Sequence, residues 1–210
     1  MKPGRFITLE GIEGAGKSTV VKFVREWLQA RGHQVTLTRE PGGTPLAERV
    51  RQLVLDRQGE PITPATETLL MFAARGLHVE NLIRPALARG DWVVCDRFTD
   101  ATRAYQGAGR GVSRVWIEQL ASEVQRGLEP DCTLLLDLPV ELGLERVKRR
   151  SGAAPTDRFE EEPAKFFERV RESYLELARA EPVRIRIVNA SGTLTDVQNE
   201  VAAVLESLSS

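Results

Sequence analysis

Gly11-Ile12-Glu13-Gly14-Ala15-Gly16-Lys17-Ser18 is the stretch that decides how the rest of the chain is read. It fits G-x-x-x-x-G-K-[ST] at every fixed position. It stands between a short apolar run, Phe6-Ile7-Thr8-Leu9, and a helically spaced one, Val20, Val24 and Leu28. A strand before and a helix after are the context in which this pattern forms a phosphate-binding loop, or P-loop. Glycines let the backbone curl so that N–H groups converge on phosphate oxygens, and the helix N-terminus adds partial positive charge. Lys17 is spaced to reach β- and γ-phosphates, and Ser18 to offer a hydroxyl to Mg²⁺. Gly11, Ile12, Glu13, Gly14, Ala15, Gly16, Lys17, Ser18 and Thr19 are therefore the expected ATP-binding residues.

Outward from this loop, strand-like and helix-like segments alternate. Residues 34–38, 92–95, 132–136 and 184–188 read as further strands, the third almost wholly apolar, as a central parallel strand should be. Leu46, Val50 and Leu53 suggest a short helix. A longer one runs from 64 towards 89 with a kink near Pro85. Ile117, Leu120, Val124 and Leu128 are helically spaced, and residues 142–149 and 163–180 read as helices. The closing helix carries Leu194, Val197, Val201, Val204 and Leu208, with Thr195 and Gln198 at capping-box spacing. The alternation predicts a doubly wound α/β fold, a five-stranded parallel sheet flanked by helices, as one domain over 1–210. Arg146 to Pro155, basic and then small and Pro-containing, reads as a mobile loop within it. Gly107-Ala108-Gly109-Arg110-Gly111 follows no strand and reads as a flexible loop rather than a second phosphate site.

The 210 residues carry a formal net charge of -1, which offers no global basic surface for nucleic acid. No secretory leader and no bilayer-length apolar run stand out, so a cytoplasmic protein without membrane contact is expected. Cys95 and Cys132 lie in apolar runs and read as buried small hydrophobes. His33 and His78 lack partners at ligand or triad spacing and read as structural. Phe166-Phe167 and Tyr174 fit a buried helix face.

The guanine-reading Asn-Lys-x-Asp signature is absent, which weighs against a GTPase. Val93-Val94-Cys95-Asp96-Arg97 ends a strand at the sheet edge where ligands of open α/β sheets bind. Asp96 is placed to act near Mg²⁺, with Ser18 as the other metal-side residue, and Arg97 to bind a phosphate. Beyond the P-loop with Glu10, the chain contains Thr38-Arg39-Glu40-Pro41-Gly42-Gly43-Thr44, Phe72-Ala73-Ala74-Arg75, Asp96-Arg97-Phe98 and Ala104-Tyr105-Gln106-Gly107. In order and approximate spacing these resemble the bacterial thymidylate kinases over nearly the whole chain.

The resemblance implies a P-loop NTPase three-layer fold with a lid at about 146–158. It implies phosphorylation of dTMP to dTDP with ATP and Mg²⁺, and a homodimer built through the 64–89 and 115–128 regions. Arg51 and Arg97 would hold the acceptor's phosphate, and Arg75 would bond a thymine carbonyl. Thr102 and Gln106 would sit near the base, and Tyr105 against the sugar, where its ring would crowd a 2′-hydroxyl. Glu10 would organise the acceptor and metal side, with Arg39 and Glu40 in the same set. The base-covering position, four residues before Arg75, is Met71, and Phe72 is three before; either could cover the base. With Glu13 in the P-loop, the catalytic arginine is expected in the lid, Arg150, Arg149 or Arg146, beside Lys17 and Arg97. Two rivals remain at this point: a nucleoside kinase on the same scaffold, and a non-catalytic nucleotide switch.

Overall fold

A computed structural model describes residues 4–56, 60–151, 158–159 and 162–209. Five strands, β1 (Phe6–Glu10), β2 (Val35–Arg39), β3 (Trp92–Asp96), β4 (Cys132–Asp137) and β5 (Ile185–Asn189), form one parallel sheet in the order β2-β3-β1-β4-β5. All five residues of β1 are buried, because helices cover both faces, and three of them, Phe6, Ile7 and Leu9, are apolar. The helices are α1 (Lys17–Gln29), α2 (Pro45–Leu55), α3 (Pro64–His78), α4 (Arg84–Ala88), α5 (Thr99–Thr102), α6 (Arg114–Gln125), α7 (Val140–Ser151), α8 (Ala164–Ala180) and α9 (Leu194–Ser209). None of the described helices is long and apolar enough to cross a membrane.

Register positions the site. Leu9 of β1 lies opposite Asp96 of β3, and the ladder runs on past the strand ends. Arg97 N–H donates to Leu9 O at 2.9 Å, and Glu40 N–H to Asp96 O at 2.9 Å. Glu40, Arg97 and the start of the P-loop are thereby held in one row at the carboxyl edge of the sheet, where such sheets bind ligands.

Four expectations change. The kink near Pro85 is a π-helical turn at Val79–Ile83, in which Arg84 N–H reaches Val79 O. Proline has no N–H to donate and its ring crowds the carbonyl four residues back, so the helix widens just before it. The stretch expected as a flexible loop begins inside a second π-helical segment, Arg103–Gly109, and Arg110 N–H donates to Tyr105 O at 2.9 Å. Its glycine at 109 serves packing: a Cβ there would stand 2.5 Å from the Phe166 ring of α8. The capping box of α9 is Thr193 with Asp196, not Thr195 with Gln198. Thr193 Oγ1 accepts from Asp196 N–H at 3.2 Å, and Asp196 Oδ2 from Thr193 N–H at 3.1 Å. The helix starts at Leu194, so Thr195 and Gln198 are already inside it. Finally, residues 146–151, expected at the start of a mobile loop, continue α7 as helix; the short helix suggested by Leu46, Val50 and Leu53 is present as α2, although Leu46 and Leu53 face outward and it buries Ala47 and Val54.

Both cysteines are buried, Cys95 in β3 and Cys132 in β4. The lid expected at 146–158 is described through α7 to 151 and again at 158; residues 152–157, including Gly152-Ala153-Ala154-Pro155, lie outside the described residues.

Candidate active site

Gly16, at φ 88, leads into α1. No side chain caps that helix and no acidic residue occupies its first turn, so its N-terminal N–H groups are left for an anion. Lys17 folds back over the loop and donates to Gly11 O and Ile12 O, both at 3.0 Å. Burial, with Arg97 nearby adding to it, depresses its ammonium to about 8; Asp96, Glu13 and Glu10 oppose the shift. A cleft opens here, lined by Glu13, Gly14, Gly16, Lys17, Ser18, Thr19, Arg51, Asp96, Arg97, Arg146 and Arg150.

Arg97 is the hub between this cavity and the next. Its backbone is left-handed, φ 68, a conformation that costs a non-glycine residue about 1–3 kcal/mol and persists where surroundings over-determine it. Its guanidinium donates to Gly11 O at 3.1 Å, Glu13 Oε1 at 2.8 Å and the hydroxyls of Tyr105 (3.1 Å) and Tyr174 (3.3 Å). Tyr105 OH donates to Glu13 Oε2 at 2.6 Å, and Tyr174 OH to Glu10 Oε2 at 2.7 Å. Burial pushes both phenols well above their ordinary range, so each hydroxyl stays a donor. Glu10 also accepts Phe98 N–H at 2.7 Å. Burial, then the charge of Asp100, raises its carboxyl to about 7 against the pull of Arg97 and its two donors.

The second cavity is lined by Glu13, Glu40, Pro41, Arg51, Leu55, Met71, Arg97, Ala101, Tyr105, Gln106 and Phe159. A smaller recess shares Glu40, Pro41, Met71, Arg97 and Ala101 with it and adds Arg75, Phe98 and Thr102. Arg75 is buried on its floor. Its Nε donates to Glu40 Oε2 at 2.8 Å, and its Nη2 to Phe98 O at 3.1 Å and Thr102 Oγ1 at 3.0 Å. Its Nη1 is buried with no hydrogen-bond partner. Across the cavity Gln106 donates through Nε2 to Glu67 at 2.8 Å, and its Oε1 is likewise buried and unpartnered.

The structure thus brings together most of the residues that the sequence singled out, and leaves some aside. Arg51 and Arg97 line both cavities. Met71 lines the second cavity; Phe72 does not, being packed with Ile117 and Ala121 beneath Arg75. The helix turns Phe72 away from the cavity because the space between α3 and α6 takes it. Arg39 is half outside: it pairs with Glu48 at 2.8 Å and faces a separate groove beside α1. Arg149 is exposed and lines neither cavity. Glu10 lies under the site rather than in its wall. The sequence reading missed three features. His78 does have partners, Glu40 at 2.9 Å and Thr38 at 2.6 Å. Tyr174 is more than a buried face, since its hydroxyl joins Glu10 to Arg97. Phe159 lines the second cavity.

Comparison with known proteins identifies the family. The family model described as "Thymidylate kinase" matches residues 9–201. The thymidylate kinase of Chromohalobacter salexigens is 58% identical over 206 residues, 98% of this chain and 96% of that protein. That of Methylococcus capsulatus is 57% identical over 208 residues, 99% and 98% of the two chains. A crystal structure of thymidylate kinase from Ehrlichia chaffeensis superposes with a TM-score of 0.75 at 33% identity, covering 97% of this chain and 99% of that one. With its phosphate loop, a second cavity beside it and full-length relatives of this kind, the chain belongs to the thymidylate kinase family.

Proposed function

We propose that this protein transfers the γ-phosphoryl group of ATP to the phosphate of dTMP, yielding ADP and dTDP. The observation that carries the choice of acceptor is a pair of buried, unpartnered atoms, one on Gln106, which lines the second cavity, and one on Arg75, which lines the adjoining recess. Arg75 Nη1 can only donate and Gln106 Oε1 can only accept. Thymine offers the matching edge, an accepting O4 beside a donating N3–H, whereas cytosine reverses both polarities. An unmade hydrogen bond at a buried group costs about 1–3 kcal/mol, so a base of the wrong polarity leaves two such deficits.

Arg51 and Arg97, lying between the cavities, hold the acceptor's phosphate against the γ-phosphate. That phosphate is anionic near neutral pH, so no general base is needed. Catalysis is positioning plus charge stabilisation of the moving phosphoryl group. Lys17 exchanges its two loop carbonyls for phosphate oxygens, and Arg146 and Arg150 approach from α7. Ser18 and Asp96 are suited to hold Mg²⁺: Asp96 Oδ1 is buried with no hydrogen-bond partner, and both residues edge the phosphate cavity. Bound Mg²⁺ would supply charge neutralisation at the β- and γ-phosphates. We also assign the working form as a homodimer, a reading supported by the exposed Leu69 on α3 and Val115 on α6, which lie in the two regions expected to pair.

The test is an ADP-release assay over a panel of nucleoside monophosphates. dTMP is expected to be the best acceptor. dUMP should trail by the roughly 10–200-fold that one methyl group can supply. dCMP and ribonucleotides should be used poorly. Turnover of thymidine but not dTMP would select a nucleoside kinase, and ATP binding without transfer would leave only a switch.

A further inference from the structure

Glu67 of α3 is a carboxylate without a role in the chemistry so far. It is only 1% exposed, yet it meets three donors: Gln106 Nε2 at 2.8 Å, Arg110 Nε at 3.1 Å and Arg158 Nη2. Arg110 and Arg158 balance its charge, as a buried carboxylate requires. The third contact does something different. A carboxamide can face a neighbour with either end, and nothing in Gln106 itself chooses between them. A carboxylate only accepts, so Gln106 must turn its NH₂ towards Glu67. The reversed amide would set Oε1 against the carboxylate and strand two buried hydrogens. The end left over is the unpartnered Oε1, on a residue of the acceptor cavity wall.

We infer that Glu67 is a specificity-determining positioning residue: by fixing the orientation of the Gln106 carboxamide, it makes that wall an acceptor and so selects a base with a donating ring N–H. The inference rests on the reading of the second cavity as the thymine site. Glu67 does not touch the base. It acts through Gln106.

The test is Glu67→Gln, an isosteric change in which residue 67 can offer either an oxygen or an NH₂. Gln106 is then free to reverse and to present a donor to the cavity. The readout is the ratio of kcat/KM for dTMP to that for dCMP. It should fall by about tenfold or more, the worth of one buried hydrogen bond of fixed polarity. The KM for dTMP should rise while kcat and the KM for ATP change little. Arg110→Gln and Arg158→Gln remove the other two contacts but keep the carboxylate, and should preserve the ratio. An unchanged ratio in folded Glu67→Gln overturns the inference. An equal loss in the two arginine variants overturns it too, because the effect would then be general loosening. A wild-type protein that does not use dTMP overturns the cavity assignment itself, a failure visible before any variant is made. Should Glu67→Gln not fold, hydrogen exchange at the Gln106 side-chain NH₂ of the free wild-type protein answers the question. The NH₂ signal is assigned by its absence in Gln106→Met. Slow exchange supports the tether to Glu67, and exchange as fast as a solvent-exposed amide overturns it.

Discussion

Lys17 is 9% exposed and its two hydrogen bonds go to carbonyls rather than carboxylates, so its positive charge is buried without a directly bonded counter-charge. Its ammonium is lowered from 10.5 to about 8. Between those values the unfolded chain binds the proton and the folded one does not, so stability contributed by this group rises with pH there and is lowest below 8. Against Lys17→Met, wild-type protein should therefore gain up to about 3 kcal/mol between pH 8 and pH 10.5. Denaturant melts of both proteins across that range measure the difference; a flat difference would mean that the ammonium is not lowered. The same substitution should cut phosphoryl transfer by orders of magnitude, since it removes charge met by the moving phosphoryl group. Lys17 was legible because a motif with fixed spacing names it. Tyr174 was not: 164 residues separate it from Glu10, and periodicity marks it as buried without revealing where its hydroxyl goes. His78 and Glu67 were hidden for the same reason, their partners being fixed by tertiary packing.

α7 shows how an element turns sequence into geometry. Gly143 on α7 packs against the P-loop so closely that a Cβ on Gly14 would collide with the Gly143 backbone, and one on Gly143 would stand 2.7 Å from Glu13 O. Residues three and seven beyond Gly143 follow it on one face. Those residues are Arg146 and Arg150, and both line the phosphate cavity, while Arg149 points away. This contact carries two of the three arginines left open in the sequence, Arg146 and Arg150, to the cavity at the P-loop. Arg150→Ala is expected to lower kcat on the order of 10³-fold with both substrates saturating, and Arg149→Ala to leave it nearly unchanged. Equal effects at 149 and 150 would mean that charge near α7 matters and its placement does not. Gly143→Ala should lower kcat without altering any charge, by lifting α7 off the loop. Element type was legible in the alternation of apolar runs, including all five strands. The two π-helical segments were not, because a carbonyl reached from five residues on leaves no spacing of apolar residues to read.

At the scale of the whole molecule, a parallel sheet collects its chemistry along one edge: the ends of β1, β2 and β3 deliver the P-loop, Glu40 and Arg97 to adjacent positions. The topology follows from strand–helix alternation, which a single sequence displays. The division of that edge into two cavities does not, since it depends on side chains from α2, α3, α7 and α8 meeting across long separations. The sheet also encloses both cysteines. Cys95 is pushed well above its usual range and Cys132 up to about 11, burial being the first cause in each. A thiol that is both inaccessible and protonated is a poor nucleophile. The native protein should therefore show no reaction with an aromatic disulfide reagent over minutes, and two thiols per chain once unfolded; rapid reaction of either in the native state would mean that the sheet opens. The same two buried sulfurs leave the surface chemically silent. A single new cysteine at exposed Lys148 on α7 could then carry a fluorophore without background labelling, and the position of α7 could be followed optically as each nucleotide is added.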